Sequence, residues 1–154
     1  MFFLIVSNFD DMNTQNLLQI TKGGYPHITL FYSGKQIKEG ELVAIGGKCM
    51  QHIFKEGYER KLTLNTITVN TFFEEKTKKY RHDVLIELDK DGVKGVEELR
   101  ALTISQSDFS YKVTARMPHI THSIHYDLYL AELAATELRE KLPISVFITG
   151  FTID

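Results

Sequence analysis

Two stretches of this chain carry the residue types needed to move protons around a phosphate. They are Tyr25-Pro26-His27-Ile28-Thr29-Leu30 and Met117-Pro118-His119-Ile120-Thr121-His122. Each runs proline, histidine, isoleucine, threonine. In a strand, successive side chains face opposite ways, so each stretch presents an imidazole and a hydroxyl together and turns its isoleucine inward. Phosphodiester transfer requires a base for the attacking oxygen, an acid for the leaving oxygen and donors for the remaining oxygens. Imidazole suits the first two tasks because it titrates near neutrality. His27 and His119 therefore form the expected acid–base pair, and Thr29 and Thr121 the expected donors. Which histidine takes the proton and which gives it is open. The attacking group, a ribose 2′-hydroxyl or water, is open as well.

Other residues are weaker candidates for substrate contacts. Tyr25 adjoins the first motif, and Arg116 stands just ahead of the second with a guanidinium suited to phosphate. Phe9, Tyr32 and Tyr126 are aromatics able to stack on a base. His119, His122 and His125 invite a zinc reading, but alternation opposes it. His119 and His125 would share a face about 20 Å apart at roughly 3.3 Å per residue, and His122 would point the other way. No Cys-x-x-Cys or His-Glu-x-x-His accompanies them. No metal or other cofactor is expected. Gly23-Gly24 lacks the Lys-Ser/Thr of a phosphate loop and reads as a turn. His52 and His82 stand alone and read as surface residues.

The two motifs are too far apart in the chain to be one local unit. They look like matching strands of two lobes, which is the mark of an internal duplication. The elements around them fit that view. Residues 2–6 are a continuous β-prone apolar run, and residues 27–32 the first motif strand. Residues 40–56 have helical spacing, weakened by Gly46-Gly47. Residues 61–73 alternate as a strand, a charged turn follows at 74–81, and residues 83–88 form another strand. A turn at 89–92 leads to a short helix over 93–102. Residues 109–115 alternate, and residues 119–125 are the second motif strand. Residues 129–142 are an amphipathic helix with Leu130, Leu133, Ala134 and Leu138 on its apolar stripe, ended by Pro143. Residues 144–153 form a last strand. The expectation is one α+β domain over residues 1–154, with helices packed outside antiparallel sheet and a central cleft.

Bulk properties narrow the partners. With 154 residues, the chain can bury a proper core. A hydrophobic share of 43% and a charged share of 25% suit an ordinary globular protein. The formal net charge of −2 opposes a sequence-independent grip on long nucleic acid, which relies on many basic contacts. A small anionic ligand remains compatible. The single cysteine, Cys49, excludes an intrachain disulfide and points to a reducing compartment. No stretch reaches the roughly 18 apolar residues of a membrane span. The opening apolar run is too short for a signal peptide and lacks a basic leader. A cytoplasmic monomer is expected, in the host cytoplasm if the source is viral.

The doubled His-Ile-Thr, His27-Ile28-Thr29 and His119-Ile120-Thr121, resembles the 2H phosphoesterase superfamily, and the order of strands and helices lets the resemblance cover the whole chain. It implies two similar α+β lobes around a cleft, with one His-x-Thr facing inward from each. It also implies a metal-independent phosphodiesterase acting on RNA ends, 2′,5′-linked oligonucleotides, cyclic phosphates or cyclic nucleotide messengers. Small size and compactness resemble the viral and phage members, among them the anti-CBASS nucleases that destroy cyclic oligonucleotide alarms of bacterial immunity. The alternatives are a 2′,5′-oligoadenylate or RNA-end 2′,3′-cyclic phosphodiesterase, and a non-catalytic module that sequesters nucleotides.

Overall fold

The computed structural model describes residues 2–7, 27–31, 38–105 and 117–153. The expected strand over 109–115, and Phe9, Tyr25, Tyr32 and Arg116, lie outside those residues. Six strands and three helices are described. In chain order they are β1 (Phe2–Ser7), β2 (His27–Phe31), α1 (Glu39–Ile53), β3 (Lys61–Glu74), β4 (Lys79–Leu88), α2 (Lys90–Ser105), β5 (His119–His125), α3 (Leu128–Arg139) and β6 (Ile144–Ile153). The expected α+β class with antiparallel sheet is the observed one.

All six strands join one antiparallel sheet in the order β2-β1-β6-β3-β4-β5. The two lobes are thus halves of a continuous sheet. β2, β1 and β6 make one half, and β5, β4 and β3 the other. The seam between them is short, Lys61–Leu64 of β3 against Ile144–Phe147 of β6. Among the described residues the chain runs strand, motif strand, helix, strand twice, as β1, β2, α1 and β3 and as β4, β5, α3 and β6 with α2 lying between β4 and β5. The last strand of each run sits in the other half of the sheet.

Local sequence explains the helices. In α1, Ile45, Cys49 and Ile53 fall one turn apart and are fully buried, so Cys49 serves as a small apolar side chain. Glu39 and Glu41 sit in its first turn, where acidic groups complement the helix dipole. The expected turn at 89–92 is instead the start of α2. Asp89 accepts a hydrogen bond from the Gly92 amide at 2.8 Å on its carboxylate, and from the Val93 amide at 2.9 Å on its carbonyl. Turn chemistry and helix capping use the same residue types, which is why the sequence reads either way. A Cβ on Gly92 would meet Asp89 Oδ1 and Leu88 Cβ at 3.1 Å and crowd that cap.

In α3, Asp127 caps the amides of Tyr129 and Leu130 at 2.8 and 3.3 Å. Its buried face is Ala131, Ala135 and Leu138; of the expected stripe, Leu138 is buried and Ala134 packs against the core, but Leu130 and Leu133 do not join them. Those two leucines are 49% and 45% exposed. The alanines let the helix lie close to β3, β4 and β5, and shape decides the contact where hydrophobicity alone favours leucine. His82, expected at the surface, is buried, and its Nδ1 lies 2.7 Å from Thr71 Oγ1 on the neighbouring strand.

The buried apolar residues form a single cluster that runs through both halves, from Ile28 and Leu30 of β2 through Val146 and Ile148 of β6 to Val84, Ile86 and Ile120. No helix among the described residues is long and apolar enough to cross a membrane.

Candidate active site

Each motif strand lies at an outer end of the sheet, β2 at one and β5 at the other. The two nevertheless approach one another, with Cα atoms of β2 and β5 within 8 Å. The sheet therefore curls far enough to bring its first and last strands together. The strand that carries His27 and Thr29 thus lies beside the strand that carries His119 and Thr121.

The alternation expected of the motifs is seen in both. Ile28 and Ile120 are completely buried, whereas His27, Thr29, His119 and Thr121 keep partial exposure.

The likeness extends past the threonines. On β2, Thr29 pairs with Phe3 and Phe31 with Phe2, so Leu30 is an extra residue in the ladder. On β5, Thr121 pairs with Leu85 and Ser123 with Val84, so His122 is extra. Each motif strand thus bulges immediately after its threonine. Bulges bend a strand and re-aim its side chains, and they gather beside functional sites. Leu30 and His122 are both buried at these positions.

The His119 ring is held by its own backbone. Nδ1 lies 2.9 Å from the Met117 carbonyl. A carbonyl only accepts, so Nδ1 carries the hydrogen. Glu87 is the ladder partner of His119 and shares its face. Its carboxylate accepts a hydrogen bond from Thr68 Oγ1 at 3.1 Å. A carboxylate beside one imidazole is a feature the sequence reading missed. At the matching place beside His27, the ladder partner is Ile5.

Arg100 is the second missed residue. Its guanidinium, on α2, donates from Nε to the Leu30 carbonyl at 3.0 Å and from Nη2 to the Thr29 carbonyl at 2.9 Å. The signal was present in the sequence: Arg100 follows Val96 by one helical turn and adjoins Leu99, so it falls on the buried stripe of α2.

Tyr126 lies just past the end of β5, about 16 Å along the strand from Thr121 at roughly 3.3 Å per residue. Its hydroxyl donates to Glu74 Oε1 at 2.9 Å. That bond raises the Tyr126 pKa. Glu74 also accepts from Thr77 and Arg81, and the bonds from Thr77, Tyr126 and Arg81 hold its carboxyl below the usual range. The phenol is thus tied to the end of the β3–β4 hairpin. The other weak candidates, Tyr25, Arg116, Phe9 and Tyr32, are outside the described residues.

His122 is buried at the bulge of β5. Nδ1 lies 3.1 Å from Ser123 Oγ, and His125 Nε2 lies 2.9 Å from the same oxygen. His122 Nε2 is buried with no hydrogen-bond partner among the described residues. Burial first, then the charges of His125 and Lys141, push its pKa below the ordinary value of 6.5. Among the described residues, no three His, Cys, Asp or Glu side chains converge as a metal site.

This fold has counterparts among solved structures. The chain is similar to Usb1 from Kluyveromyces marxianus, with a TM-score of 0.59 at 15% identity, covering 98% of this chain and 95% of that one. The chain shares the fold of that protein. Kluyveromyces marxianus Usb1 bound to uridine monophosphate is also similar, with a TM-score of 0.52 at 15% identity over 90% of this chain and 79% of that one. No protein-family model matches the sequence, and no curated protein matches it either. The likeness is therefore one of fold, carried by backbone arrangement while most side chains differ.

Proposed function

We propose that this protein is a metal-independent phosphodiesterase of the 2H type that cleaves small nucleotide substrates. The observation that carries the reading is the meeting of two equivalent strands, each His-Ile-Thr followed by a bulge, from the two outer ends of one sheet. One imidazole takes the proton of the attacking oxygen while the other, protonated, supplies one to the leaving oxygen. Thr29 and Thr121 donate to the non-bridging oxygens as charge builds there. The Met117 carbonyl, by fixing the His119 ring, leaves Nε2 as the atom that gives or takes the proton. If a ribose 2′-hydroxyl attacks, the phosphorus–oxygen bond to the leaving nucleoside breaks and a 2′,3′-cyclic phosphate forms. If water attacks, the product is a linear phosphate monoester.

The substrate class we propose is the cyclic or short oligonucleotide, with immune second messengers foremost. In a phage, that activity would blunt CBASS immunity. A second reading, the opening or trimming of linear RNA ends or 2′,5′-oligoadenylates, is favoured by the uridine monophosphate held by a protein of the same fold.

A metal-free turnover screen tests the proposal. The protein is incubated in EDTA with 3′,3′- and 2′,3′-linked cyclic dinucleotides, cyclic triadenylate, linear 2′,5′-triadenylate and uridylyl-(3′→5′)-uridine. The His27→Ala/His119→Ala double variant runs in parallel. Histidine-dependent cleavage of the cyclic compounds supports the messenger reading, and cleavage of the linear ones alone supports the second. Binding of these compounds without cleavage would replace both with a sequestering module.

A further inference from the structure

Arg100 is buried on α2, yet its partners belong to β2 in the other half of the sheet. Its side chain is 5% exposed. Nε and Nη2 reach the successive carbonyls of Leu30 and Thr29, and Nη1 donates to Glu97 Oε1 at 2.7 Å. In a regular strand, successive carbonyls point to opposite edges. One guanidinium gathers both here because the chain bulges at Leu30. Among the described residues β2 is also an outer strand of the sheet, and an outer strand has carbonyls for groups other than a ladder to engage. The planar fork of arginine matches two neighbouring acceptors at once. Glu97 engages the third nitrogen and is half exposed, which carries the pair's charge toward solvent.

The placement has a consequence for the four motif residues. α2 packs on β3 and β4 as well as β2. β4 is the strand against which His119 and Thr121 are registered. Arg100 therefore ties the bulge of the first motif strand to the half of the sheet that carries the second.

We propose that Arg100 is a positioning residue: by clamping the Thr29 and Leu30 carbonyls it sets the aim of His27 and Thr29 relative to His119 and Thr121. This inference rests on the phosphodiesterase reading above. A displacement of about 1 Å at reacting groups can cost on the order of 100-fold in rate. The clamp is thus expected to act on turnover more than on binding.

The test compares the wild type with Arg100→Lys, Arg100→Gln and Arg100→Ala. The substrate is whichever compound of the metal-free screen the wild type cleaves fastest. Arg100→Gln and Arg100→Ala are expected to lower kcat by about 10- to 100-fold with KM within about threefold. Arg100→Lys, which can still donate to a carbonyl, is expected to recover most of kcat. Millimolar guanidinium added to Arg100→Ala is expected to restore part of the rate. Helix and sheet content by circular dichroism controls for folding, and if Arg100→Ala does not fold, the Gln and Lys pair decides. A folded Arg100→Gln with wild-type kcat overturns the inference while leaving the phosphodiesterase reading intact. A wild type that cleaves none of the compounds overturns that reading itself, and the positioning role with it.

Discussion

At the scale of single residues, four side chains carry the proposed chemistry and their contributions are separable. His27→Ala and His119→Ala are each expected to reduce turnover by at least about 100-fold, the usual weight of a positioned acid or base. Thr29→Ala and Thr121→Ala should cost about 10- to 1000-fold as lost donors to the transition state. Steady-state rates in EDTA check both. Near-normal rates in both histidine variants would sink the mechanism. His122 tests the internal likeness of the halves from the side of stability. Its counterpart at the other bulge is Leu30, fully buried, whereas His122 buries an Nε2 that has no partner among the described residues. Burial lowers its pKa in the folded state, so the unfolded chain takes up a proton that the folded chain resists. Stability is then complete above 6.5 and declines as pH falls through the window between 6.5 and the lower folded value. His122→Leu should remove that decline and relieve about 1–3 kcal/mol of unsatisfied burial. Urea midpoints at about pH 7.5 and about pH 5.5 measure it. An unchanged pH dependence in the variant would assign the decline to another group.

At the scale of elements, α3 shows how packing overrides pattern. Ala131 and Ala135 meet the sheet, while Leu130 and Leu133 face outward. Ala135→Leu should overpack the contact and destabilise by about 1–3 kcal/mol, whereas Leu133→Ala should fall within about 0.5 kcal/mol of neutral. Thermal denaturation of the two variants reads the difference, and the reverse order would restore the leucine stripe as the buried face. Both motif strands, the long β3 and the helices α1 and α3 were legible, because alternation and helical spacing are local properties. The start of α2 was not, since Asp89 and Gly92 serve a turn and a cap alike. The buried face of α3 was legible only in part, at Ala134 and Leu138, since helix–sheet contact selects for shape as well as hydrophobicity. The bulges after Thr29 and Thr121 left no local trace, because a bulge exists only against its partner strand. Arg100 was written in the sequence as a cation on an apolar stripe, but its target lay 70 residues away.

At the scale of the molecule, one hydrogen-bonded sheet and one apolar cluster span both halves. The short seam of β3 against β6 is reinforced by Leu64 and Val146, both fully buried. Unfolding is therefore expected to be a single cooperative transition, with calorimetric and van't Hoff enthalpies in agreement. Two resolved transitions in scanning calorimetry would mean that the halves fold independently. By itself the sequence determined the chemistry on offer: two imidazoles and two hydroxyls, each pair on one face of a strand above a buried isoleucine. Those features depend only on side-chain type and the two-residue period of a strand. Tertiary structure alone decided that the motif strands stand at opposite ends of the sheet and still meet, that each bulges after its threonine, and that Arg100 clamps one of them. Each of these depends on which distant segments pair, and that choice is made by burial and hydrogen bonding across the whole chain.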